Sequence, residues 1–124
     1  MKKHLPILLV ILVLVGVPMG YWAWYMTQPG KHDAFATCLK DSGALFYGAF
    51  WCPHCQQQKA MFDKSEKLLP YIECSQPNGQ GQLQVCTDAG ITSYPTWVFP
   101  DGSRLDGTQT LEALAEKTSC ELPA

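Results

Sequence analysis

Hydrophobic and polar positions divide this chain into one long apolar run and a region where short apolar and amphipathic stretches alternate. Leu5 to Met26 is 22 residues without a charge, enough as a helix to cross about 30 Å of hydrocarbon. Its densest part is Ile7–Val15, and Tyr21, Trp22, Trp24 and Tyr25 gather at the far end like an interfacial aromatic belt. Lys2 and Lys3 place the N-terminus on the cytoplasmic side and everything after the run outside. The rival reading is a cleaved signal peptide with Ile7–Val15 as its apolar core. No small-x-small cleavage site follows, because Pro18 or the bulky Tyr21 falls at the −3 position. The expected organisation is an anchor over residues 1–26, a linker over 27–31 containing Pro29 and Gly30, and one domain over 32–124.

Inside the domain the periods change from element to element. Phe35, Cys38 and Leu39 recur at helical spacing in His32–Asp41, and Gly43 stops that helix. Ala44–Phe50 is a short apolar, aromatic-rich run that reads as a buried strand. A helix then opens at Pro53, where a missing N–H costs nothing, and is expected to run to about Lys67. Tyr71–Cys74 reads as a second strand, Ser75–Gly81 as a loop, and Leu83–Ala89 as a helix capped by Gly90. Thr96–Phe99 and Ser103–Asp106 form strands around the Pro100-Asp101-Gly102 turn, and Thr110–Ser119 closes with Leu111, Leu114 and Ala115 on its buried face. The order is α-β-α-β-α-β-β-α. A right-handed crossover makes the first two strands parallel, and the tight turn makes the last two antiparallel.

Composition narrows the possibilities. Without Lys2 and Lys3, seven basic residues face eleven acidic ones, so a mildly acidic domain with no basic cluster is expected, and no nucleic-acid partner. Six cysteines in 124 residues, behind an apolar N-terminal run, indicate an oxidising compartment outside the cytoplasm.

The chemistry concentrates in Trp51-Cys52-Pro53-His54-Cys55 and, further on, Ser93-Tyr94-Pro95-Thr96-Trp97. Two intervening residues let both sulfurs meet across one helical turn and close a disulfide. The first sulfur lies at a helix N-terminus, where free N–H groups and the dipole favour a thiolate. Cys52 is therefore the expected nucleophile and Cys55 the resolving cysteine. His54, between them, is positioned to stabilise the Cys52 thiolate, which favours the reduced form and makes the disulfide more oxidising. Trp51 is expected at the edge of the site, and Trp97 in the core.

The stretches from Tyr47 to Cys55, Gln58-Lys59, Tyr71 to Ser75, Cys86, and Ala89 to Trp97 resemble one family. It is the thioredoxin-like domain fused to bacterial vitamin K epoxide reductase homologues. The resemblance implies a minimal thioredoxin-like α/β fold, here after one N-terminal transmembrane helix. It implies a thiol–disulfide oxidoreductase that passes electrons between secreted proteins and a membrane quinone reductase, with no cofactor of its own. The chain differs from the fused form in having one membrane segment, so any such reductase is expected as a separate chain. The resemblance also implies that Pro95 is cis and lies against the two sulfurs, that the Tyr94 backbone pairs with substrate, and that Thr96 lines the same surface. The Pro53-His54 dipeptide resembles that of the periplasmic oxidant DsbA more than the Gly-Pro of thioredoxin. Thioredoxin carries a buried carboxylate six residues before its first cysteine, and Phe46 stands at that position here. Glu73 or a water is left to serve instead.

The four remaining cysteines pair in three possible ways. Cys74 and Cys86 are expected to form a structural disulfide, with a second redox relay as the alternative. Cys38 and Cys120 would then staple the first helix of the domain to the last. Two other readings compete with oxidation of secreted thiols. One is a metal site, either zinc on Cys52, Cys55, Cys74 and Cys86 or copper(I) on the Cys-x-x-Cys pair with His54. The other is a reductase or isomerase on the same fold.

Overall fold

The computed structural model describes residues 3–124. Met1 and Lys2 lie outside the described residues, so the orientation expected from Lys2 and Lys3 rests on the sequence. Helix α1 spans Leu5–Thr27 and buries none of its side chains. It is apolar on every side, which suits a lipid environment and not one face of a core. It is the one described helix long and apolar enough to cross a membrane, and a signal sequence at this place meets the same description. The helix continues to Thr27, one residue past the expected end of the anchor, with the Thr27 hydroxyl donating to Trp24 O at 2.6 Å.

The domain comprises α2 (Asp33–Asp41), β1 (Leu45–Gly48), α3 (Pro53–Ala60), a 3₁₀ segment (Asp63–Leu68), β2 (Tyr71–Glu73), α4 (Gln84–Asp88), β3 (Thr96–Val98), β4 (Arg104–Asp106) and α5 (Leu111–Thr118). The strands form one mixed sheet in the order β2-β1-β3-β4. β1 runs parallel to β2 and antiparallel to β3, and β3 is antiparallel to β4. Successive residues of a strand face opposite sides of the sheet, and β1 shows the consequence. Phe46 joins a core with Phe35, Leu39, Phe62, Trp97 and Leu114, while Tyr47 joins a second cluster with Cys74, Cys86 and Ile91. Phe46 lies opposite Trp97 in the register and stacks on it with ring centres 4.8 Å apart.

The helix expected to reach Lys67 ends at Ala60 instead. Phe62 is fully buried and stacks on Phe35 at 5.8 Å. Asp63 takes a left-handed backbone, φ 49°, and the chain continues as a 3₁₀ turn. Tertiary packing of one phenylalanine thus overrides a run of good helix formers. The first strand is also shorter than expected, because residues 49–52 turn, with Cys52 N–H donating to Ala49 O at 3.0 Å.

Two disulfides brace the small core. Cys38–Cys120 joins α2 to the residues after α5 across 82 residues of sequence, and Cys74–Cys86 joins the end of β2 to α4 across 12. Closing such loops in the unfolded chain is worth about 4.5 and about 3 kcal/mol respectively on the chain-entropy model.

Gln58 ties the last helix to the sheet from inside the core. It is fully buried. Its Oε1 accepts from Trp97 Nε1 at 3.2 Å and from Gln109 N–H at 2.7 Å, and its Nε2 donates to Gln109 O at 3.1 Å. Gln58→Leu strands these partners, so it is expected to cost about 2–4 kcal/mol of unfolding free energy. Urea denaturation followed by tryptophan fluorescence measures it, and a loss under about 0.5 kcal/mol would show that the bonds are replaceable.

Candidate active site

Cys52 is the N-cap of α3, in an extended conformation, and Pro53 takes the first helical position. Pro53 fixes φ where an N–H has no helical partner, so the turn from β1 into α3 is sharply defined. The Cys52 sulfur stands where a capping side-chain oxygen would, and accepts the Cys55 N–H at 3.4 Å. It is 5% exposed, whereas Cys55 is fully buried. Both are free thiols here. On the opposite side the Cys52 thiol points at Tyr94 O, 3.7 Å away. The following bond, Tyr94–Pro95, is cis, and Pro95 is buried. The structure therefore brings Cys52, Pro53, Cys55, Tyr94 and Pro95 together at one place.

The Cys55 thiol lies against the backbone of β1. A Cβ placed on Gly48 would come within 2.9 Å of the Cys55 sulfur and 2.9 Å of Tyr71 Cε2. Only a residue without a side chain allows α3 to sit this close to the sheet. Burial pushes the Cys55 thiol up to about 12, helped by the hydrogen bond and charge of Cys52 and opposed by the Ala49 backbone and the Lys59 ammonium. The inner sulfur is thus held as a neutral thiol at physiological pH.

Around the outer sulfur the surface is apolar. Phe50 and Trp51 are 47% and 51% exposed. Trp51 is anchored by its Nε1 donating to Ser75 Oγ at 2.8 Å, and its ring meets Tyr94 edge-on at 6.0 Å. His54 is exposed, and its carbonyl accepts from the Thr108 hydroxyl at 3.2 Å. Its imidazole makes no hydrogen bond among the described residues. Thr96 differs from the expectation that it lines this surface. It is 2% exposed, and its hydroxyl lies 2.8 Å from Ser93 O and 3.0 Å from Asp106 Oδ1. Its side chain fastens β3 to β4 and does not face the sulfurs.

Cys74 and Cys86 are bonded to each other and fully buried. They are not available to complete a four-cysteine zinc set with Cys52 and Cys55, and as a relay pair they offer no sulfur to an external thiol. Gly48, Tyr71 and Lys59 lie in the stretches that carry the resemblance, but sequence reasoning gave them no role, because their nearness to Cys55 depends on how three elements meet.

A mixed four-stranded sheet with a Cys-x-x-Cys pair at a helix N-terminus, facing a cis-proline, defines a thioredoxin-like protein with a dithiol site. The chain belongs to the thioredoxin family: the family model described as Thioredoxin matches residues 29–119. It is similar to the thiol-disulfide oxidoreductase LTO1 of Arabidopsis thaliana, with 44% identity over 94 residues. That match covers 72% of this chain and 24% of the relative, so the chain spans about a quarter of the relative's length.

The two thiols are expected to differ sharply in reactivity. Brief iodoacetamide treatment of the reduced protein near neutral pH should alkylate Cys52 and leave Cys55 unmodified, because Cys55 ionises only toward about pH 12. Peptide mass mapping reads the outcome. Equal labelling of both cysteines would show that the inner thiol is more accessible than its burial indicates.

Proposed function

We propose that this chain is a membrane-tethered thiol–disulfide oxidoreductase working outside the cytoplasm, which oxidises the thiols of secreted proteins. The observation that carries this reading is the asymmetry of the pair. Cys52, 5% exposed, lies beside Tyr94, and Cys55 lies behind it with no exposure at all. In the oxidising direction, a substrate thiolate attacks the Cys52 sulfur of the Cys52–Cys55 disulfide. Cys55 leaves with the electron pair and takes up a proton. A second substrate thiolate then attacks its own mixed-disulfide sulfur, so the substrate disulfide forms and Cys52 is released reduced. Two electrons and two protons have moved from substrate to protein.

Position supports the following roles. Cys52 is the nucleophile and Cys55 the resolving thiol. Pro53 sets the start of α3, and the exposed His54, between the two cysteines in sequence, is assigned the part of stabilising the Cys52 thiolate. Pro95, buried next to the Tyr94 carbonyl that the Cys52 thiol faces, is assigned to the same surface, the Tyr94 backbone offers an extended substrate a strand partner, and Trp51 with Phe50 supplies apolar contact area. Recharging requires an acceptor for the two electrons. The resemblance to domains fused to vitamin K epoxide reductase homologues favours a membrane quinone reductase of that type in a separate chain. The α1 helix supports a membrane tether through residues 5–26, holding the domain on the side where such a partner works. Lys64 joins this helix to the domain through Tyr25, donating to its carbonyl and lying 4.0 Å over its ring.

Two measurements test the proposal. Cys52→Ser is expected to abolish both substrate oxidation and insulin reduction, and retained exchange would remove Cys52 from the nucleophile role. Glutathione equilibration of the Cys52–Cys55 pair is expected to give a potential of about −120 to −180 mV, the range of oxidants and isomerases. A value near about −270 mV would reverse the direction, making the protein an electron donor.

A further inference from the structure

The loop between Cys74 and Cys86 supplies neither of the reacting sulfurs, yet it holds two rings that lie next to Cys52. The Cys74–Cys86 disulfide closes its base, and Leu83 N–H donates to Cys74 O at 2.7 Å. One step further out, Ser75 and Gln82 pair as an antiparallel bridge. Gln76 N–H donates to Gly81 O at 3.2 Å and Gly79 N–H to Gln76 O at 2.8 Å, so the tip folds back on itself. A Cβ placed on Gly79 would lie 3.9 Å from both Phe50 Cζ and Trp51 Cδ1, so the tip runs alongside these two rings.

The two bridge residues tie down one ring each. Ser75 is 3% exposed, and its hydroxyl accepts from Trp51 Nε1 at 2.8 Å while donating to Gln76 O at 2.9 Å. Gln82 Nε2 donates to the Tyr94 phenol oxygen at 2.8 Å and to Ile91 O at 2.9 Å, and its Oε1 accepts from the Thr87 hydroxyl at 3.0 Å. Both amide hydrogens and the amide oxygen are thus committed, which fixes the direction of the bond to Tyr94. The two rings meet edge-on at 6.0 Å. Trp51 directly precedes Cys52, and Tyr94 O is 3.7 Å from the Cys52 sulfur. Neither ring is enclosed: Trp51 is half exposed and Tyr94 partly buried. Packing therefore leaves their orientation open, and the hydrogen bond at the polar end of each ring decides where it stands.

Resting on the reading of this chain as an oxidant of protein thiols, we propose that Ser75 and Gln82 are positioning residues for substrate selection. Through Trp51 and Tyr94 they hold an apolar corner beside Cys52. The corner takes an aromatic or large aliphatic side chain next to the reacting cysteine of an extended substrate. Such a contact gains most when the rings already stand in place, because ordering them on binding would cost affinity. Ser75 and Gln82 act on affinity through the rings, and the thiol chemistry stays with Cys52 and Cys55.

The oxidised full chain, in detergent, is mixed with an excess of one of three dithiols. These are a synthetic peptide with phenylalanine beside its first cysteine, the same peptide with glycine there, and dithiothreitol, which carries no side chain. Acid quenching and chromatography read the disulfide product, and the concentration dependence separates half-saturation from the limiting rate. The wild-type chain is expected to half-saturate at a lower concentration of the phenylalanine peptide than of the glycine peptide. Equal values overturn the proposal without any variant. Ser75→Ala removes the acceptor of the Trp51 indole, and Gln82→Ala the donor to the Tyr94 phenol. Each is expected to raise half-saturation by the phenylalanine peptide at least about fivefold more than by the glycine peptide, with the limiting rate shifted less than about twofold. A phenylalanine-peptide value within about twofold of wild type in either variant overturns the proposal and leaves the dithiol assignment standing. Equal slowing with both peptides and dithiothreitol also overturns it, because the loop then only holds the fold together. A wild-type chain that oxidises neither peptide nor dithiothreitol instead removes the oxidant reading, and the role of the loop with it.

Discussion

The close approach of α3 to β1 at Gly48 is the contact on which the site depends. It seats the Cys55 sulfur against the sheet, out of water, while the N-cap position leaves Cys52 slightly exposed one turn away. A thiol pair with one member slightly exposed and one fully enclosed is chemically asymmetric even though the two residues are identical. The outer sulfur meets partners; the inner one is reserved for its neighbour. Any side chain at Gly48 would have to displace either the sulfur or the Tyr71 ring, so the order of events at the pair is built into the packing of the backbone.

So small a domain holds this geometry with help from covalent and polar braces. Its apolar core is limited, as expected for the 97 residues that follow α1. The two disulfides tie α2 to the chain after α5 and β2 to α4, and the buried Gln58 network links α3, β3 and the residues leading into α5. The segment from α1 into the domain is similarly fixed. His32 N–H donates to Ser65 Oγ at 3.1 Å, and Gly30 N–H to Asp33 Oδ2 at 3.0 Å. Together with Lys64 on Tyr25, these contacts make the junction a docked one, not a free linker.

Much of this was legible in the residues themselves. The apolar run, the alternation of elements, the Cys-x-x-Cys pair and the Pro-Asp-Gly hairpin are local patterns, and local patterns are written in the order of residues. Thr96 shows where that legibility stops. It follows Pro95 directly, and adjacency suggested a shared surface, but the strand alternation turns its side chain inward to Asp106. The break after Ala60 is a second case, because nothing local to Met61-Phe62-Asp63 announces that Phe62 will stack on Phe35.

The sequence by itself determined the class of chemistry, since two cysteines one helical turn apart behind a capping position react as a pair wherever that helix lies. Only the tertiary structure decided which groups lie beside them. Gly48, Tyr71 and Lys59 are 4 to 19 residues from the two thiols in sequence, and no spacing rule connects them. They converge because β2 pairs with β1 in a register that sets Tyr71 beside Phe46 and Glu73 beside Gly48. That register is fixed by burying aromatic rings on one face of the sheet, an outcome of the whole core and not of any segment in it.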